Sequence, residues 1–223
     1  MNQLHVGIIL DGNRRFSKRL MKKPWKGHEY GAKKLKKFFS WCRDYNIKEM
    51  TIYCLSLENF NRPKREFNYL MKVFEEELKN TKTDSKIHKD KIRIRFMGKT
   101  NLLNRELQKL IKEIEELTKN YKNYTINFAI AYGGKEEIID AVKKLVKKKL
   151  KVNEKNLEKN LWIKNKPDLI IRTGGEKRTS NFLPWQSAYS EWIFLDKMWP
   201  EFSENDLKKC MKEYYSRKRR FGK

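Results

Sequence analysis

Apolar positions along the chain fall into two alternating patterns. Short runs, continuous or alternating, occur at "HVGIIL" (5–10), "MTIYCLS" (50–56), "IRIRFMG" (92–98), "YTINFAIAYGG" (124–134), "DLIIRTGGE" (168–176) and "EWIFL" (191–195). Their length and their flanking glycines and polar clusters predict strands. Between them apolar residues recur at helical spacing. Leu35, Phe38, Phe39 and Cys42 mark a helix over 28–45, and Phe67, Leu70, Met71, Phe74 and Leu78 mark another over 65–80. Leu103, Leu107, Leu110, Ile114 and Leu117 form a third stripe, and Ile138, Val142 and Leu145 a fourth over 135–150. A basic helix at about 203–219 closes the chain.

Strands alternating with helices, and strands that are nearly continuous in apolar residues, predict an α/β fold. Its central sheet is mostly parallel and is flanked by helices on both faces. Ligands in such folds gather at the carboxyl ends of the strands. The polar oddities of the sequence fall there: Asp11 after the first strand, "SLENFNRP" after the second and "RTGGEKRTS" after a later one. With no internal repeat and no low-complexity linker, residues 1–223 are expected to form one domain.

Composition narrows the class. The chain is 39% apolar and 13% aromatic, enough for a real core despite 36% charged residues. No apolar run approaches the ~18 residues of a membrane span. "MNQLHV" lacks a basic segment followed by an apolar one, so a cytoplasmic protein is expected. Cys42, Cys54 and Cys210 are odd in number, far apart and set among apolar residues, which points to free buried thiols. There is no CxxC or HExxH pattern to suggest zinc. The net charge of +25 favours an anionic partner. Much of the excess, as in "KKLVKKKLK", reads as a solvated helix face, so charge alone does not choose a function.

Two clusters carry chemistry. In "LDGNRR" an aspartate ends a buried strand, Gly12 permits a tight turn, and Arg15 can grip phosphate oxygens in a fork. A structural Asp–Arg pair closing the turn and a metal–phosphate site are both open readings of this stretch. A phosphotransferase of the haloacid dehalogenase type needs a second aspartate where Asn13 stands. In "RTGGEKRTSNF", Arg172 ends a strand and Arg178 and Ser180 follow a double glycine. That set suits a diphosphate, although a plain solvated loop is the alternative; neither GxxxxGK[ST] nor GxGxxG is present. The stripe Phe67, Leu70, Met71, Phe74 reads first as core, and as a pocket wall only for a hydrocarbon substrate.

Seven segments in order, "HVGIILDGNRRF", "GHEYGAKK", "TIYCLSLENFNRP", "INFAIAYGGKEEI", "DLIIRTGGEKRTSNFLPWQSAYSEWIF", "WPEF" and "RKRRFG", resemble the cis-prenyltransferases of the undecaprenyl diphosphate synthase family. The resemblance covers nearly the whole chain. It implies an apolar tunnel beside the sheet and condensation of isopentenyl diphosphate with an allylic prenyl diphosphate to a cis-polyprenyl diphosphate, for a glycosyl carrier lipid. It implies Mg²⁺, held by Asp11 and Glu191. Gly12, Asn13, Arg14, Arg15 and His28 would cradle the primer diphosphate. Ser56, Asn59, Phe60 and Arg62 would lie in a loop closing over the site, with Asn59 beside Asp11 in the catalytic set. Arg172, Arg178 and Ser180 would bind the isopentenyl diphosphate. Arg220 and Gly222 would reach the partner subunit of a homodimer. The long apolar product implies transient contact with a membrane surface.

One position departs from the family pattern: Pro24 stands where an arginine usually precedes His28 by four residues, flanked by Lys22, Lys23 and Lys26. Lys177 replaces a common histidine. Two other classes remain as alternatives. A basic nucleic-acid module would gain nothing from Asp11 and Glu191, so no nucleic-acid partner is expected. A non-catalytic subunit of a mixed prenyltransferase would be expected to lose "DGNRR", which is intact.

Overall fold

The computed structural model describes residues 4–217. Six strands form one sheet, in the order β3-β4-β2-β1-β5-β6: β1 (Leu4–Ile9), β2 (Ile47–Ser56), β3 (Ile92–Met97), β4 (Tyr124–Tyr132), β5 (Leu169–Arg172) and β6 (Glu191–Phe194). All five neighbour pairings are parallel. The helices are α1 (Asn13–Arg19), α2 (Gly27–Asp44), α3 (Lys64–Thr83), α4 (Ser85–Lys89), α5 (Arg105–Thr118), α6 (Gly134–Lys147), α7 (Glu154–Asn160) and α8 (Glu204–Ser216).

The sheet is covered on both faces. Val6, Ile8, Ile52, Ile126 and Ile171 pack with residues of α2, α3, α5 and α8 on one side. Ile9, Tyr53, Tyr132, Ile170 and Phe182 form the core of the other, with α6 and α7 packing together beside it. Because β1 lies between β2 and β5, the chain reverses its direction of travel across the sheet there. That switch point leaves a crevice beyond the strand ends. Tyr53, Ile9 and Arg172 stand side by side in register at its edge.

Three helices lack the apolar periodicity that the sequence reading requires. α1 buries only Ser17, α4 buries no side chain and α7 buries only Leu157. The third stripe needs correction: Leu117 is exposed, Leu103 precedes the helix, and the buried face of α5 is Leu107, Leu110, Ile111, Ile114 and Thr118. Among the cysteines, Cys42 and Cys210 are buried and Cys54 is half-buried, all free.

Candidate active site

The site is assembled from the ends of β1, β2 and β5. Asp11 follows β1. Its Oδ1 accepts from the Gly12 N–H at 2.6 Å and from Arg15 Nη2 at 3.2 Å. Its Oδ2 accepts from Arg172 Nη2 at 2.9 Å. The Asp11 carbonyl accepts from Trp199 N–H at 2.9 Å and from the Thr173 hydroxyl at 2.9 Å, which fixes its backbone. Gly12 has φ +102°, and a Cβ there would lie 2.8 Å from Met198 Cβ. Only glycine makes that turn without strain.

Arg172 is 4% exposed at its side chain. Besides Asp11 it donates to Ser180 Oγ at 2.8 Å and to the carbonyl of Arg178. Its Nε is buried with no partner. Gly174, at φ +89°, lets this loop close on the first; a Cβ there would lie 2.7 Å from Arg15 Nη2. The Arg178 guanidinium does not join the cluster. It is 61% exposed and pairs with Glu176 at 2.5 Å.

A second cationic group stands beside it. The buried Glu66 of α3 accepts from Arg14 Nε and Arg62 Nη1, each at 3.3 Å. Arg62 Nη1 also lies 3.3 Å from His28 Nε2. Burial, then the charges of Arg62 and Arg14, lower the His28 pKa to about 4, so the ring is neutral near pH 7 and accepts from Arg62. Ser56 opens the turn Leu57–Asn61, and its N–H donates to Asn59 Oδ1 at 3.2 Å, which fixes Asn59. Phe60 stacks obliquely on Phe67 at 4.9 Å. Asn13 donates to the Leu10 carbonyl at 3.0 Å, while its Oδ1 is buried and unpartnered against Gly31.

Part of this cluster opens onto a cavity of about 620 Å³ between the sheet and helices α2 and α3. Asp11, Asn13, His28, Ser56, Asn59, Arg62 and Ser180 line its polar end. Leu35, Phe39, Leu70, Val73, Phe74, Phe96 and Phe128 line the rest. Of the expected wall, Leu70 and Phe74 face the cavity; Phe67 packs on Phe60 and Met71 lies in the core, so neither lines it. Beyond Phe39, Thr81 and Phe128 lies a second cavity of about 240 Å³.

Glu191 stands apart. It begins β6 opposite Leu169, three residues before the position level with Arg172. That is roughly 10 Å along the sheet from the Asp11 end. Its carboxylate holds Arg217 at 2.5 Å. Among the described residues no group of three or more acidic, histidine or cysteine side chains could hold a metal ion. Arg220 and Gly222 lie outside the described residues. Pro24 opens a short 3-10 turn; Lys26 pairs with Glu29 at 3.0 Å and Lys23 lies over the Trp25 ring. Glu66, which sequence reasoning missed, has only one sequence signal: an acid four residues after Arg62, one helical turn away across Pro63.

Residues 9–222 match the prenyltransferase family model described as putative undecaprenyl diphosphate synthase. The tritrans,polycis-undecaprenyl-diphosphate synthase (geranylgeranyl-diphosphate specific) of Methanopyrus kandleri is 45% identical over 98% of this chain and 84% of its own length. That of Methanocaldococcus jannaschii is 45% identical over 98% of this chain and 82% of its own. A probable undecaprenyl diphosphate synthase from Campylobacter jejuni superposes with TM-score 0.86 at 34% identity, covering 100% of both chains. Lavandulyl diphosphate synthase from Lavandula x intermedia, solved with dimethylallyl diphosphate, superposes with TM-score 0.90 at 34% identity over 98% of both. A switch-point site rich in guanidinium groups, opening into an apolar cavity, thus sits on a fold and sequence of one kind, and the chain belongs to the cis-prenyltransferase family of undecaprenyl diphosphate synthases.

Proposed function

We propose that this cavity condenses isopentenyl diphosphate with an allylic primer, geranylgeranyl diphosphate, to build a cis-polyprenyl diphosphate for the synthesis of a glycosyl carrier lipid. The carrying observation is the contact of Asp11 with both Arg15 and Arg172 at the polar end of a cavity with apolar walls. The choice of primer follows the names of the archaeal relatives.

Arg14, Arg15 and Arg62, with Gly12, Asn13 and His28, take the primer diphosphate. Arg172, Ser180 and a reoriented Arg178 take that of the isopentenyl unit. Guanidinium groups fixed in advance stabilise the charge that grows on the departing diphosphate. The isopentenyl double bond attacks the allylic carbon as its C–O bond breaks and diphosphate leaves; a proton of the isopentenyl unit passes to a diphosphate oxygen, and the new double bond is cis. The chain then lengthens along Leu70, Val73 and Phe74 in an apolar tunnel. A volume of about 620 Å³ is in the range of roughly 300–1,000 Å³ usual for ligand sites.

The donor set suits Mg²⁺. This hard ion takes one or two carboxylates and completes its shell with water and substrate phosphates. Asp11, partly exposed, offers that carboxylate, and Mg²⁺ there would neutralise diphosphate charge. The protein works as a cytoplasmic homodimer that touches the membrane surface when the long product leaves; among the described residues no helix is long and apolar enough to cross a membrane.

The test is incubation with labelled isopentenyl diphosphate, Mg²⁺ and, separately, dimethylallyl, farnesyl or geranylgeranyl diphosphate, followed by separation of products by length. Incorporation is expected with the last. No incorporation with any primer overturns the reading; efficient use of farnesyl alone overturns the primer assignment.

A further inference from the structure

We infer that the turn after α1 is a membrane-docking tip that seats the mouth of the cavity on an anionic lipid surface. This rests on the membrane contact proposed above and names its site. Met21 is 97% exposed and Leu20 42% exposed, side by side. Met21 has φ +53°, a left-handed conformation that glycine or asparagine adopts more readily. The chain therefore presents a long apolar side chain to solvent where a small residue would make the turn with less strain.

The tip is held firmly. Met21 N–H donates to the Lys18 carbonyl at 2.9 Å and Lys22 N–H to that of Ser17 at 3.0 Å. The buried Ser17 hydroxyl donates to the Lys23 carbonyl at 2.8 Å, closing the loop from inside. Around the two apolar residues stand exposed Lys18, Arg19, Lys22 and Lys23. Residues 12–28 hold seven lysines and arginines and no acidic residue. Apolar side chains ringed by cations match a bilayer interface, where the first enter the acyl boundary and the second meet anionic headgroups. A nucleic acid would use the cations and leave Leu20 and Met21 in water.

Position decides between this patch and a second one. Ile139 and Val146 of α6, with Leu150 and Val152 beyond it, are also exposed and lysine-flanked. α6 starts beyond the carboxyl end of β4 and runs back along the sheet, so Val146 and Leu150 lie at the end remote from the site. The α1 tip is one seven-residue helix, about 10 Å, from Asn13 at the cavity. Docking there puts the opening where amphiphilic primer enters and polyprenyl product leaves.

Three proteins test it by flotation with vesicles, at roughly 0.15 M salt: wild type, Leu20→Ser/Met21→Ser, and Val146→Ser/Leu150→Ser. None of the substitutions changes net charge, and none touches the catalytic groups. Vesicles are phosphatidylcholine alone or mixed with phosphatidylglycerol. Wild type is expected to float only with the anionic vesicles. The tip variant should lose binding by about tenfold or more, and the α6 variant should bind as wild type. Equal binding of tip variant and wild type overturns the tip and leaves the membrane reading standing. A wild type that floats with neither vesicle overturns both. Isopentenyl incorporation with soluble primer reports independently on the catalytic reading. A change in the tip variant's particle size by light scattering, with vesicle binding intact, assigns the tip to a protein contact and also overturns the proposal.

Discussion

Arg172 donates to Asp11 at 2.9 Å, joining two strand ends 161 residues apart in the chain. The pair closes the switch point of the sheet and makes the two motifs one site. Asp11→Asn keeps the shape and an acceptor for Arg172 but removes the charge. Isopentenyl incorporation is expected to fall by about 10² or more. Unfolding free energy should drop by only about 1–3 kcal/mol. Radiolabel assay and denaturant titration on the same preparation measure both; near-normal turnover would overturn the role of Asp11.

The double glycine separates two physical effects. Both residues have positive φ, so either alanine carries strain of roughly 1–2 kcal/mol. At Gly174 the new Cβ also meets Asp11 backbone carbon at 3.0 Å and Arg15 Nη2 at 2.7 Å; at Gly175 the nearest atom is 3.7 Å away. Gly174→Ala should therefore be the less stable variant and should lose activity, while Gly175→Ala should mainly lose stability. Denaturation midpoints and specific activities of the two, side by side, check the ordering.

Glu66 gathers Arg14 and Arg62 without reaching the cavity itself. Glu66→Gln should raise KM for the primer about tenfold and change kcat little, because the arginines lose their fixed positions before binding. Steady-state kinetics with varied primer at saturating isopentenyl diphosphate gives the split. An unchanged KM for primer with a lowered kcat would reassign the residue.

Phe39 and Phe128 touch edge to face at 6.2 Å between the larger and smaller cavities. Phe128→Ala should join the two and shift products to longer chains. Val73→Trp, which fills the larger cavity, should shorten them. Reversed-phase separation of labelled products reads both shifts, and an unchanged distribution in the two variants would show that the chain grows elsewhere.

His28 makes stability depend on pH. Its folded pKa, about 4, lies below the ordinary 6.5 because burial disfavours the charged ring. Between those values the unfolded chain binds more protons, so the contribution is complete above about pH 6.5 and is lost as pH falls towards 4. From about pH 7.5 to about pH 5 the loss amounts to about 2 kcal/mol. His5, also buried and lowered, acts in the same direction. His28→Gln should show a pH dependence shallower by that amount in urea titrations at the two pH values.

The strands and the long helices were legible because burial imprints a period on the sequence. "HVGIIL" became β1, and the 65–80 stripe became α3, with Leu70 and Phe74 facing the cavity. α1 left no such imprint: its polar side chains serve the site and the solvent, and only Ser17 is buried. Leu117 fitted the helical period yet faces water.

The sequence by itself determined the alternation of elements, the mostly parallel sheet and the two arginine-bearing motifs at strand ends, because these follow from short-range patterning and from residue chemistry. Only the tertiary structure decided which charges meet. It put Arg172 on Asp11, sent Arg178 outward to Glu176, set Glu66 beneath Arg14 and Arg62, and gave Glu191 to Arg217. The reason is physical: a period in one dimension records which face of an element is buried. Pairing of side chains from different elements depends on strand order and register, and these are settled only when the whole sheet is packed.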